Sequence, residues 1–296
     1  MNFIYEVEVP RSDNMRGRIS RLKGNVLATI IYWIVLIIFL HSYLTTSNPL
    51  SLSVVADRVL DALSISLVFL VNWITKKPLN EHYSYGFHRV ETLMNVSVIM
   101  AFLALAAYSA INTTMLFITH TKTPAAGTLY ASAVSVPLLI IATLFMEKHE
   151  SSNFRAIFLH SLQDVAIVLM ALAFSIVALY SSLYYVDYLG NYIVLFIIIY
   201  GNRKIFSRNI TMLMEGTVID IKAAEDSIKN EFPNVHHLHI WDICQHQRLA
   251  TLHLKVPPGQ SIGEIDEAKK EIENILSKYG VTHLTIQSES EEAVDR

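Results

Sequence analysis

A single cysteine, Cys244, stands in 296 residues. That excludes an internal disulfide and any cysteine-rich zinc finger, and Cys244 itself reads as a small buried hydrophobe. Charge is scarce too. Only 17% of residues are charged, against about 25% in an average soluble protein. With 52% hydrophobic residues and a mean hydropathy of +0.39, the chain reads as a membrane protein carrying a soluble appendix. A net charge of −3 gives no reason to expect nucleic acid as a partner. No G-x-x-x-x-G-K-[ST] loop is present, so nucleotide-driven chemistry of that type has no seat. The opening stretch MNFIYEVEVPRSDNMRGRISRLKGN is polar and basic, without a hydrophobic signal core and cleavage site. No removable targeting peptide is expected, and the first apolar segment should remain in the membrane. Repeats and low-complexity tracts are absent.

What the chain does have is long apolar runs. A spanning helix needs roughly 20 mostly apolar residues, and six candidates lie near 25–44, 51–75, 90–118, 127–146, 155–182 and 184–202. Lys and Arg alternate between their loops. Arg11, Arg16, Arg18, Arg21 and Lys23 precede the first run; Lys76, Lys77 and Arg89 follow the second. Lys148 and Arg155 follow the fourth, and Arg203, Lys204 and Arg208 the sixth, while Lys122 stands alone on the other side. The positive-inside rule then places both termini in the cytoplasm and calls for an even number of spans. The chain divides into a cytoplasmic arm (1–24), a six-helix transmembrane domain (25–208) and a cytoplasmic tail (209–296).

The tail has eight Lys plus Arg against fifteen Asp plus Glu, and six of the twelve histidines. Its pattern predicts helix 219–231, strands 235–243 and 248–256, helix 262–279 and strand 281–288. Pro233 and Asn234 close the first helix, Ser261 caps the second, and Gly280 sits where a C-cap glycine belongs. Two helices on one face of a three-stranded sheet make a small α+β domain.

Ionisable side chains inside a span cost at least ~2.5 kcal/mol each near its centre, so they mark function by default. The second run carries Asp57 and Asp61, the fifth His160 and Asp164. Each pair is spaced i, i+4 and shares one helix face. Facing each other, the pairs supply three carboxylates and one imidazole, a set that suits tetrahedral zinc or another divalent cation. The plainer alternative is a hydrogen-bonded cluster that only locks two helices together. An intramembrane zinc hydrolase is disfavoured because the helices contain no H-E-x-x-H.

These motifs resemble the cation diffusion facilitator family: D-x-x-x-D at 57–61, H-x-x-x-D at 160–164, YGFHRVE at 85–91, MLMEGT at 212–217 and VHHLHIW at 235–241. The resemblance implies six spans, a homodimer, exchange of divalent metal for protons, and a ferredoxin-like (αββαβ) cytoplasmic domain. It also implies a transport site made of Asp57, Asp61, His160 and Asp164. The sequence departs from the family in two places. Arg58 stands beside Asp57, about 100° round the helix; it either pairs with an acidic residue or snorkels to an interface. If it reaches Asp57 or Asp61 it competes with the metal. In the loop, His82 and His88 are each shifted by one position from the ligands of an extra metal site found in bacterial relatives.

Strand alternation puts His237, His239 and Trp241 on one face of their strand. His253 and His283 lie opposite apolar faces built by Ala250, Leu252, Leu254, Leu284 and Ile286. His237, His239, His253 and His283 should therefore gather on the open side of the sheet. A hairpin centred on His246 sets His239 across from His253. By resemblance, His236, His253 and Glu289 match the zinc ligands of the family's tail, with Gln287 where a histidine often occurs. The function expected is efflux of divalent cations, most of all Zn2+, driven by the proton gradient, with His160 as proton carrier. The short, histidine-poor loop between the fourth and fifth spans resembles bacterial members, hence a bacterial inner membrane. Two rivals remain: a non-transporting, metal-sensing membrane subunit, and a proton-coupled transporter of an organic cation.

Overall fold

The computed structural model describes residues 15–75, 77, 81–146, 154–181, 183, 185–244 and 246–290. Six long helices come first: α1 (Met15–Thr46), α2 (Pro49–Ile74), α3 (Arg89–Ile118), α4 (Ala126–Met146), α5 (Phe154–Ser181) and α6 (Tyr185–Leu213). They follow the apolar runs, with α1 and α6 each extending well beyond them. Among the described residues, four segments are by length and composition apolar enough to cross a membrane: Val26–Thr46, Arg89–Ile118, Ala126–Phe145 and Leu159–Ser181. The interior of α2 is interrupted by Asp57, Arg58 and Asp61, and α6 is diluted by Asp187, Asn191 and Asn202. These six side chains are buried, whereas large apolar residues such as Ile37, Val68, Ile111, Leu144 and Phe196 face outward. Polar inside and apolar outside is the arrangement that lipid selects.

Two compact units emerge. One joins Arg11–Asn72 with Ser97–Lys204, the other Trp73–Val96 with Ile205–Arg296. In the first, α1 packs on α4 and α4 on α5. Buried hydroxyls tie helices together: Ser51 Oγ lies 2.7 Å from Thr128 Oγ1 and 2.9 Å from Ser42 Oγ. Gly190 on α6 allows a close approach to α5, since a Cβ there would lie 2.8 Å from Phe174 Cγ.

The second unit contains α7 (Ile221–Lys229), β1 (Val235–Cys244), β2 (Gln247–Val256), α8 (Ile262–Ser277) and β3 (His283–Ser290). Strand order is β1-β2-β3, antiparallel then parallel. Asp220 caps α7, accepting from Ala223 N. This helix closes at Asn230, ahead of the expected stop at Pro233. Ser261 caps α8 in a reciprocal box with Glu264, and those hydrogen bonds hold the Glu264 carboxyl below its usual range. Gly280 takes φ 78° directly after α8, as a C-cap glycine should. The core is formed by Ala224 and Ile228 from α7, Ile272, Ile275 and Leu276 from α8, and Val235, Ile240, Ala250, Leu252 and Leu254 from the sheet.

Register departs from the expectation. His236, not His239, pairs with His253, and His239 pairs with Thr251. Two offsets add up: the pairs from His239–Thr251 to Asp242–Arg248 already sit two residues from those of a hairpin centred on His246, and a bulge between His236 and His239, with His237 at φ 50°, adds a third. One extra residue on β1 shifts the ladder and re-aims its side chains.

Candidate metal centre

Three helices build the buried charged cluster. α2 contributes Asp57, Arg58 and Asp61; α5 contributes His160 and Asp164; α1 contributes Tyr32. One turn between Asp57 and Asp61, and one between His160 and Asp164, aligns each pair along its helix. Asp57, Asp61 and Asp164 are at most 4% exposed and Arg58 is fully buried. His160 Nε2 lies 3.2 Å from Asp61 Oδ1. Ligand atoms of Asp61, His160 and Asp164 all fall within 4.8 Å of one another. Asp57 stands outside that trio.

Arg58 occupies the middle. It does not snorkel; it pairs inward. Its Nη2 donates to Asp164 Oδ1 at 3.0 Å and also bonds Asp57 Oδ2. Its Nη1 lies 3.2 Å from Asp61 Oδ2. Tyr32 Oη donates to Asp164 Oδ2 at 2.6 Å, and the guanidinium carbon lies 5.5 Å from the Tyr32 ring centroid, within cation–π range. Counted as ionised, three carboxylates and one guanidinium leave two negative charges, which a dication balances. Tyr32 gave no signal in the sequence, because one tyrosine in an apolar run resembles any other.

In the tail, the rings of His236, His237 and His253 lie 5.0–5.4 Å apart. Glu289 joins them, with Oε1 2.9 Å from His253 Nδ1 and Oε2 3.4 Å from His236 Nε2. Gln287 donates to Glu289 Oε1 at 2.8 Å. Of the residues considered from sequence, the structure thus brings His236, His253, Glu289 and His237 together. His239 and His283 join no group of three such ligands among the described residues; His283 instead meets Tyr85 edge-on at 5.7 Å. His82 is exposed and likewise joins none. His88 turns towards Cys244, its Nδ1 3.9 Å from Sγ. A third group, Glu91, Cys244 and His246, was not anticipated. Hydrogen bonds to Cys244 and Glu91 push the His246 imidazole up to about 10.

Comparison with known proteins places this geometry in context. The model of the cation efflux transmembrane domain matches residues 26–214, and that of the cation efflux protein cytoplasmic domain matches 214–291. A cadmium, cobalt and zinc/H(+)-K(+) antiporter of Bacillus subtilis is 26% identical, covering 84% of this chain and 82% of the relative. The zinc transporter ZitB of Pectobacterium atrosepticum is 26% identical, covering 79% and 74%. A human proton-coupled zinc antiporter, SLC30A8, is 24% identical, covering 81% and 70%.

Proposed function

The chain belongs to the cation efflux family, and from that premise we propose that it exports divalent metal cations, Zn2+ foremost, from the cytoplasm in exchange for protons. The observation that carries this reading is the trio Asp61, His160 and Asp164, with its donor atoms within 4.8 Å. Two carboxylates match the charge of a dication, and one imidazole shifts the preference from magnesium or calcium towards zinc. Relatives named for cadmium, cobalt and zinc support the same cargo. Asp57 completes the carboxylate set of the site and anchors Arg58 while the metal is bound.

All six long helices cross the membrane in this reading. At 1.5 Å per residue, α2 with 26 residues and α6 with 29 are each longer than a bilayer core of about 30 Å. The polar groups of α2 and α6 are turned away from lipid. Both termini lie in the cytoplasm, residues 1–24 form an arm, 25–208 the transport domain, and 209–296 a ferredoxin-like tail that pairs two copies in the inner membrane of a bacterium.

Transport proceeds by alternating access. A cation arriving from the cytoplasm displaces protons and takes Asp61 and Asp164 from Arg58, whose charge then rests on Asp57. Protons entering from the far side re-protonate His160, which must be neutral to bind metal, and the cation leaves. Arg58 returns to the carboxylates, acting as a tethered counter-charge between cycles. In the tail, His236, His253 and Glu289 have the donor set of a zinc site, and the acidity of residues 209–296 favours cation capture. His239, His283, His82 and a loop site through His88 take no part in this proposal.

Arg58 also favours a second reading, in which the guanidinium never leaves and the protein is a non-transporting, metal-sensing membrane subunit. Liposomes loaded with a metal-sensitive dye and given a pH step separate the two. Zinc movement that follows the pH step supports the exporter; zinc binding without movement supports the sensor.

A further inference from the structure

The chain's only thiol is not explained by apolar packing. Cys244 is buried, yet Glu91 and His246 offer ligand atoms that, with its own Sγ, all lie within 4.8 Å of one another. His246 Nδ1 stands 3.6 Å from Glu91 Oε2, and the sulfur also meets His88 Nδ1 at 3.9 Å. The backbone N–H of His246 donates to Sγ at 3.4 Å. The ladder is irregular between Asp242 and Cys244, and Thr92 Oγ1 donates to the Ile243 carbonyl at 3.1 Å. The start of α3 and the end of β1 are thereby held in contact within one unit.

We propose that Glu91, Cys244 and His246 bind a zinc-type divalent cation. Zinc–sulfur bonds of about 2.3 Å and zinc–nitrogen bonds of about 2.0–2.1 Å, set tetrahedrally, put neighbouring donors about 3.3–3.6 Å apart. The 3.6 Å between His246 and Glu91 already meets that spacing. One thiolate with one imidazole and a carboxylate is a borderline-soft set, suited to zinc over magnesium or calcium. Binding releases the Cys244 thiol proton, and any proton on His246, to solvent. The bound cation would clamp the turn after β1 to the first turn of α3. This site is independent of the transport reading, because none of its residues belongs to the Asp61–His160–Asp164 cluster.

The test uses the full chain in detergent, titrated with Co2+ as a spectroscopic stand-in for zinc. Since Cys244 is the only cysteine, a thiolate-to-cobalt charge-transfer band can arise only here. The expected result is a band that saturates near one equivalent per chain and is bleached by zinc. It should survive in Asp164→Asn, and lose at least tenfold in apparent affinity in His246→Ala and Glu91→Gln. The side chain of His246 is 81% exposed, so its removal leaves the packing intact. A wild-type protein with one titratable thiol per chain and no band overturns the site. A band equally strong in both variants overturns it as well.

Discussion

Arg58 and Asp164, 106 positions apart, meet at 3.0 Å inside the helical unit, with side chains 0% and 1% exposed. The same guanidinium holds Asp57 and Asp61, so the carboxylates offered to a cation are the ones that stabilise a buried positive charge. In the proposed exporter, Arg58 and the cation compete for one set of oxygens. That competition governs the first prediction.

Arg58→Ala removes the counter-charge and leaves three carboxylates facing one another. Breaking a buried ion pair from one side costs on the order of 3–5 kcal/mol, so the metal-free variant should unfold at a clearly lower temperature than wild type. Zinc should then restore more stability than it gives wild type, because the site no longer has to release a guanidinium. Thermal unfolding in detergent with and without zinc checks this. Equal zinc-dependent gains in both proteins would place Arg58 outside the competition.

His160 is the only nitrogen donor in the trio, so it should set selectivity. His160→Asp makes the site all-oxygen while keeping enough charge to balance a dication. The expected outcome is retained transport with a lower preference for zinc over manganese, because oxygen-only sites suit manganese. Competition flux in liposomes reads the ratio; an unchanged ratio places His160 outside the coordination shell.

The tail prediction concerns the other histidines. Its core is drawn from α7, α8 and the sheet alone, so residues 209–296 can be studied as a fragment that lacks Glu91 and His88. Zinc should raise its unfolding temperature, because a ligand selective for the folded state stabilises it by mass action. The combined His236→Ala and His253→Ala variant should lose that shift. A shift of the same size in the variant would assign the zinc to other residues.

Ser261→Ala removes the hydroxyl that caps α8, one half of the reciprocal box, and leaves the Glu264 carboxylate on the backbone N–H of residue 261. The cost expected is about 1 kcal/mol, read from denaturant unfolding of the same fragment. A loss below a few tenths would mean that packing through Ile272, Ile275 and Leu276 sets the helix end without help.

Much of this was legible in the chain. Apolar runs located six helices because lipid leaves so few alternatives. Ser261 and Gly280 marked the ends of α8 because caps follow local rules. The i, i+4 carboxylate and imidazole pairs identified the right helices for the charged cluster. Three features were not legible, each for its own reason. The hairpin sits two residues off a centre at His246, and the bulge at His237 adds the one extra residue that alternation does not count, which together exchanged His239 for His236 opposite His253. For Arg58 the sequence left pairing and snorkelling both open, because its reach to Asp164 on α5 depends on how two helices face each other. Glu91 and His246 belong to segments far apart in sequence, and no spacing rule links a helix start to a hairpin turn.

The central claim is that a divalent cation crosses the membrane through Asp61, His160 and Asp164 in exchange for protons. The measurement that reaches it most directly is zinc flux in liposomes under a pH step, comparing wild type with Asp61→Ala and Asp164→Ala, each shown to insert and to dimerise. The account predicts pH-driven zinc flux in wild type and none above the protein-free background in either variant. Wild-type flux in Asp164→Ala, or no flux in wild type despite zinc binding, would contradict it.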